Sequence, residues 1–204
     1  LEEYQIPPWS CDYHFNINIE MIYWPALPTG CYDHFTPLWQ MIRGWFETLR
    51  ENACHFFGVD DAMMLPHAVN DRCAAVGQFW TGFIDQACTA WMAQIAFLHW
   101  RYSGDEQVLR EVAWPLLTGA FGGFHAMLEE QADGSLHLPV SVNPEYGGAD
   151  DWAWGQDASF QLAACHALVQ MLPAAATALG EPADPRWAQV AERLPPYTVL
   201  ADVP

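Results

Sequence analysis

Ile84-Asp85-Gln86-Ala87-Cys88-Thr89-Ala90-Trp91-Met92-Ala93-Gln94-Ile95-Ala96-Phe97-Leu98 decides the fold class of this chain. Ile84, Cys88, Trp91, Ile95 and Leu98 recur at the steps that place side chains on one face of a helix. Tyr102-Ser103-Gly104 ends that helix with glycine as its C-cap, and Asp105 is placed to cap a successor carrying Val108, Leu109 and Val112. Pro115 breaks or restarts the successor, and the apolar pattern runs on to about Leu128. Upstream, a short helix from Asn18 to about Ala26 is stopped by Pro25 and Pro28. Phe35, Leu38, Ile42, Trp45, Phe46 and Leu49 then predict a helix over Thr36–Phe56. Downstream, an Ala-rich helix is expected from Gln156 to Leu179, and another from Asp184 to Leu194. Long loops separate these pairs, from Gly58 to Gly82 and over residues 131–154, the second with a possible short strand at Leu136–Val142.

Helix, turn, helix, long loop is therefore the rhythm, and the fold class is all-α. Helical bundles connect their helices mostly by short loops. Here each long loop precedes the first helix of a pair, which predicts a toroid of inner and outer helices with the loops gathered at one mouth. The pairs fall at roughly 18–56, 84–130 and 156–194, within one domain spanning residues 1–204.

The bulk numbers restrict the partner. Acids number 25 against 7 basic residues, all arginine, for a formal charge of −18. A phosphate backbone needs clustered cations, so nucleic acid is not expected, and neither is an anionic membrane or a polyanionic sugar. A neutral substrate fits. No apolar run is expected to reach the ~20 residues of a membrane span. The opening Leu1-Glu2-Glu3 has neither a basic region nor an apolar signal core, so no compartment is read from it. The six cysteines lack CxxC pairs and disulfide-dense spacing, and Cys88 and Cys165 read as small buried apolar groups.

Two polar motifs stand out. Asn16 and Asn18 sit two apart at a helix entrance among Phe15, Ile17, Ile19, Met21 and Ile22. One of them can serve as an N-cap, but two amides in an apolar stretch need partners, and a water with sugar hydroxyls would supply them. Far downstream, Glu145 follows Pro144 and precedes Gly147-Gly148. A carboxyl kept protonated by a partly apolar pocket is what protonates a leaving oxygen. Asn143, Tyr146, Trp152 and Trp154 can build that pocket; a solvated loop glutamate is the plain alternative, and Asp150, Asp151 and Asp157 compete for the role.

His67 and Asp71 can bind hydroxyls, or simply hydrogen-bond within their loop. One His with one Asp is too few ligands for a metal, so neither metal nor cofactor is expected. Trp39, Trp45, Trp91 and Trp100 have helical spacing and read as core. Trp9, Trp24, Trp80, Trp152 and Trp154 lie in or beside loops and suit stacking on a sugar face. No GxSxG, Gly-rich phosphate loop or Cys-His signature is present.

Asp12-Tyr13-His14-Phe15-Asn16-Ile17-Asn18-Ile19-Glu20-Met21, followed by Tyr23-Trp24-Pro25-Ala26, resembles the start of the catalytic domain of glycoside hydrolase family 95. His67-Ala68-Val69-Asn70-Asp71 resembles that family's loop motif of two histidines, Asn, Thr and Asp, with Ala68 where the second histidine stands. Ser103-Gly104-Asp105, Trp114-Pro115-Leu116-Leu117, Asn143-Pro144-Glu145 and Arg193-Leu194-Pro195-Pro196-Tyr197 match in order. The resemblance implies an (α/α)6 toroid with about three of six hairpins in this chain, and an inverting, exo-acting α-L-fucosidase-like hydrolase of neutral oligosaccharides. It implies Glu145 as general acid and Asn16 and Asn18 as holders of the attacking water. The catalytic base then belongs to a later hairpin beyond Pro204, and the departure at Ala68 leaves the sugar open. Half a toroid implies an apolar face that meets the rest of the domain or a second copy. A non-catalytic carbohydrate-binding remnant is the rival reading.

Overall fold

A computed structural model describes residues 12–76, 85–142 and 154–197. Its helices are α1 (Asn18–Tyr23), α2 (Ala26–Thr29), α3 (Thr36–Gly44), α4 (Phe46–Phe57), α5 (Ala87–Ser103), α6 (Glu106–Val108), α7 (Trp114–Met127), α8 (Ser159–Leu179) and α9 (Pro185–Arg193). Three two-residue strand pairs complete it. β1 (Tyr13–His14) pairs with β2 (Ala68–Val69), β3 (Glu129–Glu130) with β4 (Leu136–His137), and β5 (Ser141–Val142) with β6 (Trp154–Gly155), all antiparallel. This is the helical architecture expected of an all-α toroid.

The punctuation acts where the sequence places it. Gly104 takes a left-handed conformation, φ 74°, that lets its N–H close on the Trp100 carbonyl. The Asp105 carboxylate accepts from the N–H groups of Gln107 and Val108. Two departures have physical causes. The single helix expected over Thr36–Phe56 is two, because at Trp45 the backbone N–H bonds three residues back to Ile42 and the indole Nε1 donates to the Asp71 carbonyl, 3.1 Å away. Pro115 does not stop its helix. A π-helical turn at Leu109–Ala113 immediately precedes it, and such a widened turn accommodates a ring that lacks an N–H to give.

The core lies where α5, α7 and α8 pack against one another, with α9 outside α8 and α2 and α3 closing the other flank. Met92, Ile95, Leu109, Phe121, Phe124, Leu162 and Leu172 are fully or almost fully buried, each such side chain contributing roughly 1.5–3 kcal/mol relative to exposure. Trp39 and Trp45 are buried among them as expected. Helix α8, at 21 residues, is long and apolar enough to cross a membrane, against the expectation from the sequence; here Leu162, Cys165, Leu168 and Leu172 bury it in the core.

Small residues set the path of the segment leading to His67. On α7, a Cβ at Gly122 would lie 2.2 Å from the Asp61 carbonyl oxygen, and one at Gly119 would lie 2.6 Å from Met63 Cγ. The bare backbone there lets residues 61–63 cross the helix in contact, with Met63 N–H donating to the Gly119 carbonyl. Two residues on, Leu65 N–H donates to Thr89 Oγ1 of α5 at 2.8 Å. His67 is thus delivered to a fixed place.

Candidate active site

The Asn16-Ile17-Asn18 motif divides its two amides. Ile17 has φ 71° and ψ −37°, a conformation that a β-branched residue adopts only when its surroundings impose it. That turn sends Asn16 inward, 7% exposed, and leaves Asn18 exposed at the first position of α1. Neither amide caps the helix.

Asn16 ends a line of polar groups. Asp12 Oδ1 is 3.1 Å from His14 Nδ1, His14 Nε2 is 2.7 Å from His67 Nε2, and His67 Nδ1 is 3.3 Å from Asn16 Nδ2. Phe15 N–H donates to the His67 carbonyl, and the β1–β2 pairing holds both segments in register. With both rings neutral, one proton order satisfies every contact. His14 Nδ1–H donates to Asp12, His67 Nε2–H donates to His14, and His67 Nδ1 keeps the lone pair that Asn16 donates to. His67 Nδ1 also lies 3.6 Å from Asp85 Oδ2.

Beneath the line is a buried acidic patch. Asp85 is fully buried just ahead of α5; its Oδ1 accepts from Ala87 N–H, and its Oδ2 accepts from the Cys88 thiol at 3.3 Å. Glu20 of α1 is fully buried too, and neither carboxylate oxygen has a hydrogen-bond partner of ordinary geometry. Desolvation, with a further push from the Asp85 charge, raises the Glu20 pKa to about 7. Burial and the same neighbouring acids push the Cys88 thiol well up.

Glu145, Trp80 and Trp152 lie outside the described residues. The stems of the segment carrying Glu145 do not. Ser141 and Val142 are buried and pair with Gly155 and Trp154, while Ser141 Oγ donates to the Gly155 carbonyl and accepts from Ala158 N–H. Those stems sit at the start of α8, where Phe160 meets Trp91 of the first turn of α5 at 5.7 Å between ring centroids; Trp24, after α1, meets Trp91 at 6.3 Å. The starts of α5 and α8 and the end of α1 therefore share one end of the array.

Trp154 is exposed in β6. Asp71 is exposed and contributes its backbone carbonyl to Trp45, so its carboxylate is not what His67 faces. Asp157 is engaged by the His137 ring and by Leu138 N–H.

The sequence profile of the glycosyl hydrolase family 95 catalytic domain matches residues 2–202. The chain belongs to glycosyl hydrolase family 95. It is 31% identical over 146 residues to "Probable alpha-fucosidase A" of Aspergillus niger, a stretch covering 69% of this chain and 18% of that protein. With "Alpha-L-fucosidase 2" of Arabidopsis thaliana it shares 28% over 148 residues, 69% of this chain and 17% of the relative. With "Kojibiose hydrolase" of Mucilaginibacter mallensis it shares 29% over 116 residues, 56% of this chain and 16% of the relative. The chain thus aligns with less than a fifth of each of these relatives.

In this family 95 chain one cleft is lined by Ile22, Tyr23 and Pro25, and another by Pro66 and Ala75 beside His67. A further cleft of about 390 Å³ is bounded by Arg50, Asp61, Trp114, Arg186 and Trp187. Arg186 there is paired with both Asp61 and Asp184. Asp12, His14, Glu20, Asp85 and Cys88 were not among the candidates drawn from the sequence. Glu20 carried a signal, a lone charge in Ile19-Glu20-Met21-Ile22. Asp85 and Cys88 carried only the three-residue spacing of a helix start.

Proposed function

We propose that the chain is part of the catalytic domain of an inverting, exo-acting glycosidase acting on neutral oligosaccharides, with α-L-fucose as the sugar released. The observation that carries this reading is the inward-turned Asn16, held on His67 at the same end of the helices from which the Glu145 segment springs. In an inverting hydrolase one carboxylic acid protonates the leaving oxygen while a base activates water on the opposite face of the ring. Glu145 is the acid. Asn16 and Asn18 hold the water, the first rigidly and the second from the open side. Asp71, Trp80, Trp152 and Trp154 bind the sugar, with His67 serving it through Asn16, and the base comes from the length of the relatives that this chain does not span. The remainder of that domain, or a second copy, covers the exposed Ile17, Met21, Ile22 and Trp24. No nucleic acid or membrane enters this reading.

The kojibiose-hydrolase relative and Ala68 favour a second reading that differs only in the sugar. One experiment serves both: the full-length protein is given neutral fucosyl and glucosyl oligosaccharides, and the first anomer formed is followed by proton NMR. Release of the inverted anomer from one class supports the proposal and names the sugar. Release of the retained anomer, or binding without turnover, sinks it.

A further inference from the structure

Three buried donors from two separate segments converge below the Asn16–His67 contact. His67 Nδ1, an Asp85 carboxylate oxygen and Cys88 Sγ all lie within 4.8 Å of one another. Asp85 Oδ2 is 3.6 Å from His67 Nδ1 and 3.3 Å from Cys88 Sγ. Tetrahedral zinc, with bonds of roughly 2.0–2.1 Å to nitrogen, 2.0–2.2 Å to oxygen and 2.3 Å to sulfur, sets its donors about 3.3–3.6 Å apart. The two Asp85 edges lie within about 0.3 Å of what that geometry requires.

The surroundings point the same way. The His14 contact takes up His67 Nε2, and His14 is itself held by Asp12, which leaves Nδ1, shared with Asn16 Nδ2, as the nitrogen 3.6 Å from Asp85. A histidine ligand is normally oriented by such a partner on its other nitrogen. Glu20 nearby has both carboxylate oxygens buried with no hydrogen-bond partner of ordinary geometry. Buried carboxylates are ordinarily paired or bound to metal. Sequence reading paired His67 with Asp71 and found too few ligands; the fold pairs it instead with Asp85 and Cys88.

We propose that His67 Nδ1, Asp85 and Cys88 form a three-ligand binding site for a zinc-class divalent ion. Cys88 binds as the thiolate, its proton passing to solvent as the ion enters. The aspartate and thiolate then neutralise the 2+ charge. The ion ties the His67 segment and the first turn of α5 into one unit, taking over the Nδ1 lone pair that Asn16 otherwise uses. This inference does not depend on the sugar or on the chemistry proposed above.

The test loads chelator-stripped full-length protein with cobalt(II) and, separately, with zinc. Expected are a near-ultraviolet thiolate-to-cobalt band at one equivalent, and a rise in Tm of roughly 5–10 °C with zinc at a hundredfold excess over its Kd. Cys88→Ala abolishes the band, Asp85→Asn weakens cobalt binding at least tenfold, and Cys165→Ala, a buried thiol outside the cluster, changes neither. Far-ultraviolet circular dichroism confirms that each variant is folded; should Cys88→Ala not fold, the band in the parent protein and its weakening in Asp85→Asn decide. Absence of a band and of a zinc-dependent Tm shift in the parent overturns the site, and so does a band that survives in folded Cys88→Ala.

Discussion

His67 Nε2 stands 2.7 Å from His14 Nε2, joining segments 53 residues apart into one polar line that ends on Asn16. Asn16 therefore owes its position to a partner that its own motif does not contain. His14→Ala should remove a buried hydrogen bond of His67 and cost about 1–3 kcal/mol, read as a lower urea midpoint at unchanged m-value. His14→Gln, which can still accept from His67, should recover more than half of that loss. Equal losses in the two variants would mean that the ring packs there without the hydrogen bond mattering.

The two amides should separate in stability. Asn16 is buried and paired, so Asn16→Ala should destabilise by about 1–3 kcal/mol. Asn18 is exposed, and Asn18→Ala should fall within about 0.5 kcal/mol of the parent. Urea unfolding of both variants checks this. A destabilised Asn18→Ala with an unaffected Asn16→Ala would show that the turn at Ile17 is drawn the wrong way round.

Gly122→Ala should destabilise although it improves helix propensity by about 1 kcal/mol. The added methyl would sit 2.2 Å from the Asp61 carbonyl, which is backbone and cannot swing aside, and forced contacts of this kind cost typically 1–3 kcal/mol. The crossing segment carries His67, so the affinity of any ligand that binds His67 should weaken with stability. Calorimetric Tm measurement decides; a rise in Tm would show that the segment does not cross α7 this closely.

His99 should make stability fall towards acid pH. Its ring is buried, Trp39 Nε1 donates to its Nδ1 at 2.8 Å, and burial lowers its pKa below the ordinary 6.5, against a smaller upward pull from Asp105. The unfolded chain then takes up a proton at this residue before the folded protein does. Stability is full above pH 6.5 and is lost as pH drops from there towards the folded pKa. His99→Asn, whose Oδ1 can still accept from Trp39 but cannot titrate, should show a flatter Tm profile between pH 7 and pH 5. Parallel profiles would show that His99 does not titrate differently on folding.

Helix spacing made α5, α8 and α9 legible from sequence, since their apolar faces and caps are local properties. The break at Trp45 was not, because its indole bonds to Asp71 across 26 residues of chain. Asn16 was legible as a buried amide that needed a partner; that the partner is His67 follows from the β1–β2 pairing, which no local pattern announces. Asp85 and Cys88 look like an ordinary helix start and acquire meaning only from the residues brought against them.

The most direct test of the chemistry is the Glu145→Gln variant of the full-length protein on two substrates, an unactivated glycoside and a glycosyl fluoride of the same sugar. The amide keeps the shape of the acid but has no proton to give, so turnover of the glycoside should fall by about 10²-fold or more, while the fluoride, whose departure needs little protonation, should be slowed far less. Asn16→Ala should slow both substrates alike, since water must be positioned whatever leaves. If Glu145→Gln slows both substrates equally, or neither, Glu145 is not the general acid, and the role passes to Asp150, Asp151 or Asp157.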